Sequence, residues 1–147
     1  MNGYSFVGLG EGEVAPSCLL FNTGNEVCGR VAKLGFMVTR SLSASAGSRT
    51  LQFLAAAALG KQHEVSVFFT ADGVYQCMRR KKNPGADDND LSQKLQSLAQ
   101  AGAKLVASSS CLEMRGITLN DVCPGVKVVT YEDIARQIGL LEQVVCL

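Results

Sequence analysis

From Lys33 onward the sequence alternates apolar runs of strand length with segments of helical period, and this alternation restricts the fold more than any other feature. Residues 34–39 (LGFMVT), 64–70 (EVSVFFT), 103–107 (AKLVA), 126–130 (VKVVT) and 143–147 (QVVCL) read as strands, rich in β-branched and aromatic side chains. Between them, residues 49–59 are dominated by Ala and Leu and read as a buried helix that stops at Gly60. A short helix is expected over 72–78. A longer one is expected over 91–101, capped by Asp90, with Leu91, Leu95 and Leu98 spaced as one apolar stripe and Gly102 after its end. Another short helix begins near Cys111, and Thr130 caps a last helix over 131–138. Strands that alternate with helices require right-handed crossovers and a sheet covered on both faces. The expected architecture is a three-layer α/β/α domain with a mostly parallel sheet of about five strands.

Residues 1–32 differ from the rest and form a Gly-rich N-terminal extension ahead of a domain spanning 33–147. Gly8, Gly10 and Gly12 suggest a phosphate loop, but no strand precedes them and no helix follows, so the dinucleotide-binding pattern is not met. The remaining composition narrows the function classes. A formal net charge of +1 gives no strong nucleic-acid signal. No apolar run reaches the ~18 residues of a membrane span. With one histidine, His63, and no C-x-x-C pair, neither a multi-histidine metal site nor a zinc site is expected, and no cofactor is implied. Six cysteines in 147 residues first suggest a disulfide scaffold. Met1–Gly12 lacks the basic and apolar regions of a secretory signal, however, and the periodic segments can build a core without staples. A soluble, cytoplasmic protein in a reducing setting is expected, with most cysteines acting as small buried hydrophobes.

In a parallel sheet, ligands collect beyond the carboxyl ends of the strands. Three segments leave that edge, namely residues 41–48, 71–77 and 108–115. Within the last, Cys111 follows a strand and the hydroxyl residues Ser108, Ser109 and Ser110. At a helix start, free backbone N–H groups favour an anion, so a thiolate is expected there, with Arg115 adding positive charge and Glu113 opposing it. The competing reading is a buried structural cysteine in a helix turn. Cys77, one turn into the segment that starts at Asp72, points either along the same rim or into the core, and it is the candidate second thiol. Cys18, Cys28, Cys123 and Cys146 read as packing residues or surface thiols, and His63 as a solvated turn residue. The basic run 79–82 is either a solvated loop or a contact for an acidic protein or RNA phosphate. A hydrolase triad is not supported, because no histidine falls near Cys111.

Three segments together resemble a known family. FFTADGVYQC is similar to the "VFFYxDGV" segment of the DsrE/TusD-like sulfur-relay proteins, and SSSCLEMRGI resembles their strand-to-helix cysteine segment. YEDIARQIGLLEQVVCL is similar to their closing helix and "ADRVVxF" strand. The likeness covers roughly residues 33–147 in matching order. It implies a five-stranded parallel α/β/α domain assembled as a homo-oligomer, a trimer or hexamer, that carries sulfur as a cysteine persulfide between a donor and an acceptor protein. The sulfur-carrying cysteine of TusD-type members falls on Ser108, eight residues before Gly116. The cysteine of other DsrE-like branches, five residues before that glycine, falls on Cys111. The expected function is therefore sulfur handling, with Cys111 as carrier and Ser108, Ser109, Ser110, Arg115 and Asp72 around the substrate. The alternatives are a non-catalytic oligomeric binding module with Cys111 inert, and a thiol-redox sensor using Cys77 and Cys111.

Overall fold

The alternating pattern folds as a parallel sheet with helices between its strands. The computed structural model describes residues 30–41, 46–79 and 89–147. The Gly-rich extension with Cys18 and Cys28, residues 42–45 of the expected 41–48 loop, and the basic residues 80–82 lie outside the described residues, while residues 46–48 of that loop are already helical. The compact unit that holds the sheet runs from Val31 to Leu147.

Its elements are β1 (Lys33–Val38), α1 (Ala46–Gly60), β2 (Glu64–Phe69), a 3-10 segment (Ala71–Cys77), α2 (Asn89–Gln100), β3 (Lys104–Ser108), α3 (Ser109–Glu113), a second 3-10 turn (Leu119–Asp121), β4 (Val126–Val129), α4 (Tyr131–Ile138) and β5 (Gln143–Cys146). The five strands pair in the order β4-β3-β2-β1-β5, and every pairing is parallel. The chain steps across the sheet from β1 to β4 and then returns past all of it to place β5 beside β1. A right-handed crossover that reverses direction must use the other face. Accordingly, Leu51 and Ala55 of α1 and Leu95 and Leu98 of α2 join one core, whereas Ile134 of α4 joins the other.

Strand alternation divides the side chains between these two cores. Val65, Val67 and Phe69 face the α1/α2 side with Phe36, Val38, Leu105 and Ala107, and Phe68 and Val106 face α4. Because β2 is central, five of its six residues are buried, so its sequence reads as an unbroken apolar run. At about 1.5–3 kcal/mol for each fully buried large side chain, β2 and β3 anchor the sheet. All four residues of β5 are exposed, so it contributes little to either core.

Three local expectations change. The segment after β2 is a 3-10 helix that begins at Ala71, one residue earlier than its aspartate suggested. Helix α2 begins at Asn89, which places Asp90 inside its first turn instead of at its cap. Helix α1 does not end in a glycine cap. The left-handed residue is Gln62 (φ 62°), and His63 N–H and Gln62 N–H donate to the carbonyls of Ala58 and Leu59 at 3.0 and 2.9 Å. That closes the helix as a Schellman motif with a non-glycine at its crossing point. His63 is itself tied down, its Nδ1 accepting from Ala32 N–H at 3.2 Å. The Thr130 cap is present, its hydroxyl accepting from Asp133 N–H at 3.3 Å. Among the described residues no helix is long and apolar enough to cross a membrane.

Candidate functional site

The carboxyl edge of the sheet brings the segments that follow β2 and β3 together. Phe69 and Ala107 are neighbours in register, so the residues that leave these two strands start side by side. The 3-10 segment is then fixed against the end of β1 at two points. Gly73 approaches the Val38 carbonyl so closely that a methyl group at its Cα would lie 2.0 Å from that oxygen, a place where only a residue without Cβ fits. Gln76, buried, donates through Nε2 to the Arg40 carbonyl at 2.7 Å.

This seating directs the first residue of the segment at the thiol. Ala71 has φ 48°, a left-handed conformation that costs a non-glycine residue roughly 1–2 kcal/mol. In that conformation its backbone N–H donates to Cys111 Sγ at 3.3 Å. Strain held at a polar contact with a half-buried thiol indicates a backbone set for that contact. Cys111 is the third residue of α3, and its side chain packs at the edge of the larger core while remaining accessible. The turn after α3 closes with Gly116 at φ 66°. Its N–H donates to Glu113 and that of Ile117 donates to Leu112, both at 3.0 Å. This cap holds Arg115 one turn beyond Cys111.

Arg115 has each of its three nitrogens engaged. Nε and Nη2 donate to Asp72 Oδ1 at 3.0 and 2.7 Å, and Nη1 donates to the Cys111 carbonyl at 3.1 Å. The guanidinium carbon lies 6.0 Å from the centre of the Tyr75 ring. Hydrogen bonding to Asp72 raises the Arg115 pKa further above its already high value, and the Asp72 and Cys111 charges add to that rise. Arg115 is therefore a permanent cation at the site, with its charge largely spent on a carboxylate. The structure thus brings together Cys111, Arg115 and Asp72 from two separate segments, and it adds Ala71 and Tyr75, which the sequence did not single out. No sequence signal marks Ala71, because alanine is not a residue of left-handed turns.

Two expected participants lie elsewhere. Ser108 is wholly buried, and as the last residue of β3 it is in register with Val129, on the α4 side together with Val106. Its hydroxyl has no hydrogen-bond partner among the described residues, and it does not line the accessible thiol site. The alternation that makes β3 a strand turns Ser108 away from the face on which Cys111 packs. Cys77 is also wholly buried, with Sγ donating to the Val74 carbonyl at 3.0 Å. Burial, with the neighbouring Cys123 adding to it, pushes its pKa up to about 12. The companion of Cys77 is Cys123, whose N–H donates to the Cys77 carbonyl at 2.8 Å, and not Cys111. Ser109 is half-buried and Ser110 exposed in the first turn of α3. Cys77, Cys111, Cys123 and Cys146 are all free thiols. Among the described residues no group of three or more His, Cys, Asp or Glu could hold a metal ion.

The fold is shared with solved structures of low sequence identity. The ychN protein from E. coli is 18% identical, with a TM-score of 0.65, covering 79% of this chain and 99% of its own. A protein of unknown function from Methanobacterium thermoautotrophicum, MTH1491, is 16% identical with a TM-score of 0.63 and the same coverage. BT1422 from Bacteroides thetaiotaomicron, also of unknown function, is 11% identical with a TM-score of 0.58, covering 78% of this chain and 95% of its own. No curated protein sequence matches the chain. The match that assigns it is to the family model, which spans residues 32–145 and so takes in all of the sheet but Cys146 and both segments of the thiol site: the chain belongs to the DsrE/DsrF-like family.

Proposed function

We propose that the protein carries sulfane sulfur as a persulfide on Cys111 and passes it between partner proteins. The observation that carries this reading is the hydrogen bond from the strained Ala71 N–H to Cys111 Sγ, since a backbone donor held on a half-buried sulfur stabilises negative charge there. In the loading step the Cys111 thiolate attacks the outer sulfur of a donor persulfide. A new sulfur–sulfur bond forms at Cys111 as the donor's own breaks, and the electron pair leaves with the donor thiolate. The sulfane proton travels with the transferred sulfur, so no external oxidant or reductant is needed. Unloading is the same exchange with an acceptor thiolate attacking the outer sulfur. Ala71 N–H holds the attacking and departing sulfur, and Ser109 and Ser110 at the head of α3 offer further donors. A cytoplasmic homo-oligomer, trimeric or hexameric, serving thiol-bearing donor and acceptor proteins fits this chemistry.

The test is peptide-resolved mass spectrometry after incubation with a persulfide donor. Cys111 should gain about 32 Da, the mass of one sulfur, and lose it on addition of an acceptor thiol. Cys111→Ser should abolish the gain. Sulfur appearing on other cysteines while Cys111 stays unmodified would leave the non-catalytic binding module as the better account.

A further inference from the structure

We infer that Asp72 is a specificity-determining residue that acts through Arg115, sequestering the guanidinium so that Cys111 accepts neutral sulfur donors and discriminates against small anionic ones such as thiosulfate. This rests on the reading of Cys111 as the reacting thiol. A dianionic donor needs a cation free to meet it as it approaches the sulfur. Arg115 is where the fold supplies one, bonded to the Cys111 carbonyl itself. Both Nε and Nη2 are committed to one oxygen of Asp72, at 3.0 and 2.7 Å, and Nη1 is committed to the carbonyl.

The Arg115 side chain is 20% exposed and that of Asp72 is 61% exposed. What an approaching molecule meets first is therefore the carboxylate, not the guanidinium. Glu113 is exposed on the same short helix. Tyr75, whose ring lies beside the guanidinium, is 37% exposed, and Met114, next to Arg115 in sequence, is 84% exposed. A rim with its cation neutralised, an outward carboxylate and open apolar side chains suits a donor presented without net negative charge. With thiosulfate, the balanced step would form the Cys111 sulfur–sulfur bond as thiosulfate's breaks, and sulfite would leave with the electron pair. The reaction is chemically open but electrostatically opposed.

The experiment compares alkylation of Cys111 by iodoacetate, an anion, and iodoacetamide, its neutral analogue of similar size. Rates are read at the Cys111 peptide by mass spectrometry in the full chain. The wild type should favour the neutral reagent. In Asp72→Asn the iodoacetate-to-iodoacetamide rate ratio should rise roughly threefold or more at low ionic strength, because one unit negative charge has been removed from the site. The gain should collapse at 1 M salt, where screening acts within about 3 Å. Asp72→Glu, which keeps the carboxylate, should restore the low ratio. Thiosulfate should load Asp72→Asn faster than the wild type by at least the same factor. An unchanged ratio in Asp72→Asn, or a raised one that Asp72→Glu does not reverse, overturns the inference. If no donor loads sulfur on any variant, the carrier reading fails, while the alkylation ratio still decides the role of Asp72.

Discussion

Replacing Gly73 by alanine should both destabilise the fold and disorganise the thiol site. The added Cβ would stand 2.0 Å from the Val38 carbonyl oxygen, 2.6 Å from its carbon and 3.2 Å from Thr39 N, all of them backbone atoms. Contacts below 3.0 Å essentially do not occur, so about 1 Å of separation must be found. β1 cannot supply it, since it is held between β2 and β5 and Val38 O already accepts from Thr70 N–H at 3.0 Å. The 3-10 segment must move instead. Overpacking against backbone of this severity costs about 2–4 kcal/mol, a large share of the roughly 5–15 kcal/mol available to such a domain. With a urea m-value near 1.5 kcal/mol/M, the midpoint should fall by about 2 M. Ala71 lies two residues away and should move with Gly73, lengthening its 3.3 Å bond to Cys111 beyond hydrogen-bonding reach and changing the Cys111 alkylation rate. Gly60→Ala is the control, because nothing lies within 4 Å of the added methyl there. It should be neutral or stabilising by up to about 1 kcal/mol. A Gly73→Ala midpoint no lower than that of Gly60→Ala would refute the argument from close approach.

Three further outcomes are expected. Cys77, with its pKa pushed up to about 12, should resist iodoacetamide at neutral pH in the native protein and react only on unfolding. Its raised native value means that the unfolded chain loses this proton first. Its contribution is therefore fully present below pH 9 and is lost as pH rises from about 9 toward 12, on the order of 4 kcal/mol in all, and a Cys77→Ala variant should show a flatter alkaline limb in urea titrations. Ser108→Ala should leave the stability unchanged or raise it by no more than about 1 kcal/mol, with the thermal midpoint the same or higher, because it removes a buried hydroxyl that has no partner among the described residues. A clear drop in that midpoint would mean that the hydroxyl is satisfied in solution.

The order and kind of the regular elements were legible because burial on both faces writes itself into composition. EVSVFF and KLVAS are apolar wherever a central strand must be, and Leu91, Leu95 and Leu98 line one side of α2. Cys111 was legible for the same reason, since a strand end marks the edge of a parallel sheet. What pairs across that edge was not legible. Arg115 and Asp72 are 43 residues apart, and neither carries a local signal for the other. The run of three serines does not show where β3 ends, and the first of them still belongs to the strand and obeys its alternation. A short helix over 72–78 leaves Cys77 free to face either the rim or the core, and the structure selects the core. As a 3-10 turn held by Gly73 and Gln76, the segment turns the thiol inward toward Cys123. The Ala71 conformation is imposed by those tertiary contacts and opposes the residue's own preference, which is why composition could not announce it.

The place of β5 in the sheet also sets an order of events during synthesis. β2 and β3 can pair and bring Ala71, Asp72 and Cys111 together once residues up to about 116 have emerged. β1 acquires its second neighbour only when Gln143–Cys146 arrives, and the closing bond from Thr39 N–H to the Leu147 carbonyl spans 108 residues of chain. At roughly 5–20 residues per second, one side of β1 stays open for about 5–20 s after that strand is made. An unpaired, largely apolar edge is a template for other chains. The segments that carry Ala71, Asp72 and Cys111 thus precede the strand that seals β1, and the open edge of β1 is the exposed feature of the nascent sheet.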